Sequence, residues 1–308
     1  MTALGAVFRP QLAPERLRAV ATVADEVGLE QLWLWEDCFY ESGIASAAAA
    51  LAWTGRVRVG VGLLPVPLRN VALTAMEAAT LYRMFPGRVS LGVGHGVQDW
   101  MGQTGARVDS PVTLLREYLG ALRALLRGER VSTQGRYVRL DDVALVWPPE
   151  TVPPVLAGAQ GPRSLRLTGE AADGTVLDAS VSPAGARRAL ALVEEGRAAA
   201  GRTGHHEVVA YLLTATGPDA AARLSAAVAG SDASSDASSD PSADASSDPS
   251  AESDAEVGVA GDAAAVAGAV KRLADAGAHT VVLQPTADEP DPEGFVRFVA
   301  EQVRPLVD

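Results

Sequence analysis

VRVGVGLLPVPLRNVALTAMEAATLYRMFPGRVSLGVG, residues 57–94, decides how the rest of the chain is read. VRVGVGLL at 57–64 and RVSLGVG at 88–94 are short, nearly unbroken apolar runs, the pattern of strands covered on both faces. Between them, Val71 to Met84 carries apolar residues at helical spacing. A strand, a helix and a second strand in succession form a parallel unit, because the helix returns the chain to the edge where the first strand began.

The unit repeats in both directions. Upstream lie strands at 3–8 (ALGAVF) and 31–35 (QLWLW), with helices over 15–27 and 43–55. Downstream, SPVTLLREYLGALRALLRG (110–128) is a strongly amphipathic helix, and VSTQGRYVRLDDVALVW (131–147) reads as a hairpin outside the main sheet. The alternation then resumes with strands at 153–159, 174–178, 207–216 and 279–285, and helices over 162–172, 184–200 and 292–305. Eight strands alternating with helices predict one domain over 1–308, a (β/α)8 TIM barrel of the α/β class with a segment inserted between strands four and five. An open doubly wound sheet is the alternative.

SDASSDASSDPSADASSDPSAESDAE, residues 231–256, interrupts the seventh helical region. It holds almost no apolar residue beyond Ala, cannot bury enough surface to offset its ordering, and is expected to be a disordered acidic insertion. The chain's net charge of −12 falls to −4 once the eight carboxylates of this stretch are set aside. No Lys/Arg stripe suited to a phosphate backbone remains, so nucleic acid is excluded as a partner. No run approaches the ~20 uncharged apolar residues of a membrane span, and the N-terminus lacks the features of a signal peptide. A cytoplasmic protein without membrane contact is expected. Cys38 is the single cysteine, which leaves no disulfide framework and no thiolate zinc cluster.

Ligands of such barrels bind where the strands end. Those ends carry Arg9, Trp35-Glu36-Asp37-Cys38, Gly62-Leu63-Leu64-Pro65, Gly94-His95-Gly96-Val97-Gln98-Asp99 and Ala157-Gly158-Ala159-Gln160-Gly161-Pro162-Arg163. Glycine lets main chain approach a flat ring or a phosphate closely. GAQGPR leads directly into a helix whose first N–H groups and Arg163 make an anion cradle; a plain tight turn is the other reading. Asp37 is the first candidate for orientation or proton relay, with Glu36, Cys38, His95 and Asp99 behind it. No metal is expected, since His95 stands alone at this end while His205, His206 and His279 fall at the opposite rim. A nucleophile elbow and a P-loop are both absent from the sequence. What remains is an apolar, glycine-floored mouth suited to an organic cofactor that brings its own reactivity.

GLEQLWLWEDCF (28–39), the 57–94 stretch with its continuation HGVQDWM, LREYLGALRALLRGERVSTQGRYVRL (115–140) and PPVLAGAQGPRSLRLTGEAADGTVLD (153–178) resemble, in this order, the luciferase-like flavin-dependent oxidoreductases, and among them the coenzyme F420-using branch. FPGR-x-x-LGVG-x-G, from Phe85 to Gly96, is the most specific piece. The resemblance implies an oxidoreductase with F420 lying across the mouth, FMN being the alternative, and a small organic substrate. It implies a bulge at Val61, Gly62 and Leu63, often with a non-prolyl cis peptide, behind the ring. A phosphate site would span Gly158, Ala159, Gln160, Gly161, Pro162 and Arg163. Gly94, His95 and Gly96 would line the pocket, with proton donation by His95 a second reading. Asp37 matches the family's strand-two acid. A homodimer is compatible with this. Two departures stand out: Cys38 replaces a common His, and Val97 replaces the Glu of the sugar-phosphate dehydrogenases, so their substrate does not carry over. Cys38 itself is either a small buried hydrophobe or a proton-sharing thiol. A monooxygenase using reduced FMN and a non-catalytic flavin carrier are the competing functions.

Overall fold

The computed structural model describes residues 2–235 and 257–307. Its central sheet follows the order β1 (Ala3–Val7), β2 (Gln31–Leu34), β3 (Arg58–Pro65), β4 (Val89–Gly94), β7 (Val155–Gly158), β8 (Gly174–Leu177), β9 (Glu207–Ala215) and β11 (Thr280–Pro285). Every pairing is parallel, and β11 returns to β1, which closes the barrel. Helices α1 (Leu17–Glu26), α2 (Gly43–Trp53) and α3 (Val71–Met84) wrap the first strands. The segment between β4 and β7 holds α4 (Gln98–Gln103), α5 (Pro111–Leu126) and a separate antiparallel hairpin, β5 (Val131–Gln134) with β6 (Arg139–Val143). Helices α6 (Pro162–Ala171), α7 (Pro183–Ala199), α8 (Ala220–Ser235), α9 (Ala263–Asp275) and α10 (Pro292–Arg297) complete the ring. The last continues through a π-helical stretch, Phe298–Val303, into a final turn at Arg304–Val307. Among the described residues no helix is long and apolar enough to cross a membrane.

Two sequence expectations change. A further short strand, β10 (Val259–Ala260), lies beside Thr214 and Ala215 of β9, beyond the stretch of β9 that β8 covers. Two residues carry no periodicity, so nothing in the pattern announces it. Residues 231–235, assigned to the insertion, continue α8, because an established helix extends cheaply through Ala-rich sequence. The remainder, 236–256, lies outside the described residues.

Apolar side chains fill two compartments. The larger lies between sheet and helices; a second, made by Val7, Trp33, Leu156, Val176, Val209, Tyr211 and Val282, fills the barrel itself. Trp33 needs bare main chain opposite it: a Cβ on Gly60 would come 2.4 Å from its ring. The rim where strands begin is stitched by side chains. Asp25 accepts from the N–H groups of Gly55, Arg56 and Val57, Glu30 from Leu4, and Asp173 from Val155. Arg88 donates to the carbonyls of Leu51, Thr54 and Val57 and to Thr54 Oγ1, closing the end of α2 and the entry to β3 with one guanidinium.

Candidate active site

The opposite rim, where the strands end, is built differently. After β2 the chain lays Trp35 into the mouth, with the Arg9 guanidinium 5.0 Å over its ring and the Tyr211 ring edge-on at 5.6 Å. Burial pushes the Asp37 carboxyl above the usual carboxylate range, and the Arg9 charge opposes this only in part. Arg9 is affected by the same burial, which lowers its pKa while Asp37 works to raise it. Glu36 faces elsewhere: Arg69 grips it with two nitrogens at 2.8 and 2.7 Å, and the Gly43 N–H adds a bond at 2.9 Å. With Arg69 also bound to Glu77, Glu36 is a structural brace between the strand-two loop, α2 and α3.

Cys38 is half-buried, and its peptide bond to Phe39 is cis. Burial, then the charges of Glu36 and Asp37, push its thiol up, so it is neutral at physiological pH. Glu41 was not among the sequence candidates. Burial and the neighbouring Asp37 raise its carboxyl, and its Oε1 is buried with no hydrogen-bond partner among the described residues. The signal was available: Trp-Glu-Asp-Cys-Phe-Tyr-Glu places three carboxylates in one strand-end loop.

On the neighbouring strand, β3 slips register against β4 between Val61 and Leu64, and the Gly62–Leu63 peptide within the slip is cis. The bulge therefore stands at the position given by the family resemblance. Gly94 and Gly158 do less than a bare floor would. The Leu63 side chain lies over both, so that a Cβ would meet it at 2.6 Å on Gly94 and at 2.2 Å on Gly158. Their missing side chains make room for Leu63, and the floor of the mouth is this leucine with the bulge beneath it. Gly96 has a φ of +68°, a left-handed turn that re-aims the chain toward α4.

His95 Nε2 lies 2.8 Å from the hydroxyl of Ser164, in the first turn of α6. The β4 loop is thereby tied to the segment Gly158-Ala159-Gln160-Gly161-Pro162-Arg163. Gly161 is the N-cap of α6, and Pro162 occupies the first helical position, where its lack of an N–H costs nothing. The N–H groups of Arg163 and Ser164 have no acceptor within the helix by geometry, and they carry the positive end of its dipole. Gln160 donates to Asp178, which joins the ends of β7 and β8. Asp99 is an exposed partner of Arg107 on α4.

At the far rim, ligand-type atoms of His205, Glu207 and His279 lie within 4.8 Å of one another. The Val208 N–H donates to His279 Nδ1, which places the ring's proton on Nε2 and leaves neither nitrogen a lone pair for an ion.

This mouth combines an apolar floor, a helix N-terminus with an adjacent Arg, and two half-buried carboxyls, Asp37 and Glu41, whose pKa values burial raises. It is shaped to take a planar ring with an anionic tail. A family model described as luciferase-like monooxygenase matches residues 3–285. The chain is 30% identical over 225 residues to a 5,10-methylenetetrahydromethanopterin reductase of Methanolobus tindarius, covering 72% of this chain and 68% of that protein. It is 32% identical over 209 residues to an F420-dependent glucose-6-phosphate dehydrogenase of Kineococcus radiotolerans, covering 63% and 61%. The fold matches that of the coenzyme F420-dependent tetrahydromethanopterin reductase of Methanopyrus kandleri with a TM-score of 0.80 at 23% identity, over 100% of this chain and 99% of that one.

Proposed function

Since the chain belongs to the luciferase-like monooxygenase family, we propose that it is an oxidoreductase moving a hydride between coenzyme F420 and a small organic substrate. One observation carries the reading: the register slip at Val61–Leu64 sets the Gly62–Leu63 main chain at the mouth, two strands from the end of β7, where the N-terminus of α6 begins. When bound, the deazaflavin supplies the hydride-exchanging carbon of its ring.

The protein supplies the rest. The bulge of Val61, Gly62 and Leu63 backs the ring, and the Arg163 and Ser164 N–H groups with the Arg163 charge hold the anionic tail. Gly158, Ala159, Gln160, Gly161 and Pro162 shape that turn. His95, between Gly94 and Gly96, fixes the turn through Ser164, which favours contact and positioning over proton donation. In this reading the Asp37 carboxyl, raised by burial, gives a proton to or takes one from the substrate's reacting centre. Glu41 shares that wall and keeps a second carboxyl in reach of the Asp37 charge. The neutral Cys38 thiol has no acid–base part. Floor and tail site hold the ring in a fixed orientation, so that its reaction with a substrate bound beside it is effectively intramolecular.

The reading includes a homodimer. Leu73, Met76 and Met84 leave an exposed apolar row on α3, and exposed Val146 and Trp147 lie beside it, with Arg83 over the Trp147 ring at 5.4 Å. The principal test is a fluorescence titration of the purified protein with F420 and, in parallel, FMN. Micromolar uptake of F420 with weaker FMN binding supports the proposal; the reverse order turns it into an FMN enzyme, and uptake of neither overturns it.

A further inference from the structure

Tyr211 lies on β9, across the barrel from β3, and is buried. Its ring is held edge-on by two tryptophans, Trp33 at 5.9 Å and 82° and Trp35 at 5.6 Å and 81°. A phenylalanine would satisfy this apolar stack equally well. The hydroxyl is what tyrosine adds, and a buried hydroxyl is unfavourable unless it finds a partner. It donates to the Gly62 carbonyl at 3.2 Å. The fit is close: a Cβ on Gly62 would stand 2.4 Å from Tyr211 Oη and 2.9 Å from the Trp33 ring.

The support continues below. Trp33 Nε1 donates to Gln31 Oε1 at 2.9 Å, Gln31 Nε2 lies 3.4 Å from Thr280 Oγ1, and Thr280 donates to Glu207 Oε1 at 3.1 Å. The indole under the bulge is thereby fixed by a polar chain that reaches the far rim. Burial keeps the Tyr211 phenol protonated at any physiological pH, so its donor is permanent.

We propose that Tyr211 is a positioning residue for the cofactor: its hydroxyl, braced by Trp33, pins the Gly62 carbonyl and so fixes the height and tilt of the surface on which the deazaflavin rests. The inference rests on the F420 reading given above. It acts through Gly62, without contact to the substrate.

The test is Tyr211→Phe, with the F420 dissociation constant read by fluorescence and the melting temperature of the cofactor-free protein read alongside. A buried carbonyl deprived of its donor is expected to weaken F420 binding about tenfold while melting shifts by only a few degrees. At saturating F420, kcat should fall while KM for the organic substrate stays within about twofold, since that substrate never meets Tyr211. An unchanged F420 constant overturns the proposal, as does a lower melting temperature accompanied by unchanged affinity in the folded protein. Should the phenylalanine variant fail to fold, Gly62→Ala drives a Cβ against the same hydroxyl; F420 affinity as in the wild type would then overturn it. Wild-type protein is titrated first. If it binds F420 and the variants bind equally well, the positioning role falls and the F420 reading stands; if it takes neither F420 nor FMN, both fall.

Discussion

Where the barrel strands begin, Asp25 receives three backbone N–H bonds, and Asp173 receives Val155 N–H together with Arg123 and Arg202. Burial works to raise both carboxyls, and these partners outweigh it, holding both below the usual range. Where the strands end, Asp37 has burial opposed only in part by Arg9, Glu41 has burial with a like charge beside it, and both are raised. One end uses its acids to anchor strand entries. The other leaves its acids poorly compensated. On the proposed reading, the difference separates stability from chemistry by position along the barrel axis.

Asp37→Asn should separate the two ends most sharply. Loss of the proton site is expected to reduce kcat by a hundredfold or more, measured with saturating F420. Because a carboxyl with a raised folded pKa destabilises the protein at pH values above that pKa, the same change should leave melting at pH 7 unchanged or slightly higher. Activity within threefold of wild type would remove Asp37 from the chemistry.

Asp173→Asn should show the converse. Breaking its contacts to two arginines and a strand N–H is expected to cost about 2–3 kcal/mol in urea unfolding, after allowing for the partial solvent exposure of these groups. F420 affinity of the folded protein should not move. A variant as stable as wild type would show that the far rim contributes less than its hydrogen bonds suggest.

A third test uses acid. His206, buried and 2.8 Å from Thr175 Oγ1, is pushed down to about 4 by burial, with the Arg197 and Arg202 charges adding to it. The unfolded chain binds this proton near pH 6.5 and the folded protein only near 4. Stability is therefore whole above about pH 6.5 and declines as pH falls through that window, by about 2 kcal/mol at pH 5. The lowered Asp25 and Asp173 carboxyls lose their contribution only at more acid pH, below the ordinary carboxylate value. Urea midpoints at pH 7, 6 and 5 check this, and His206→Gln should flatten the slope. An equal slope in both proteins would assign the loss to another group.

The smallest effect is expected at Cys38. With its thiol neutral, Cys38→Ser should change kcat by less than threefold, and iodoacetamide should react with the native thiol more slowly than with a free cysteine at pH 7.5.

Strand order and barrel closure were legible because each strand is an apolar run bounded by turn residues, as VRVGVGLL and RVSLGVG show. The candidate site was legible in its parts. Asp37 and the GAQGPR turn declare themselves by position at strand ends. The work done by Gly94 and Gly158 does not, since a sequence shows that room is left and not what takes it; here Leu63 takes it. Glu36 and Asp37 are adjacent and chemically equal, yet successive residues face different ways, and only the fold brings Arg69 to the first. Tyr211 reads as one more apolar position in EVVAYLLTAT. Its proposed role exists only once closure of the barrel sets it opposite Gly62.

Arg88 has a wider consequence. The guanidinium of the FPGR tetrapeptide is spent wholly on main-chain carbonyls and a threonine at the strand-entry end, the rim opposite the candidate site. A genome survey keyed to that tetrapeptide would gather proteins by their carpentry; on the proposed reading, sorting them by chemistry requires reading the loop that carries Asp37 and Glu41.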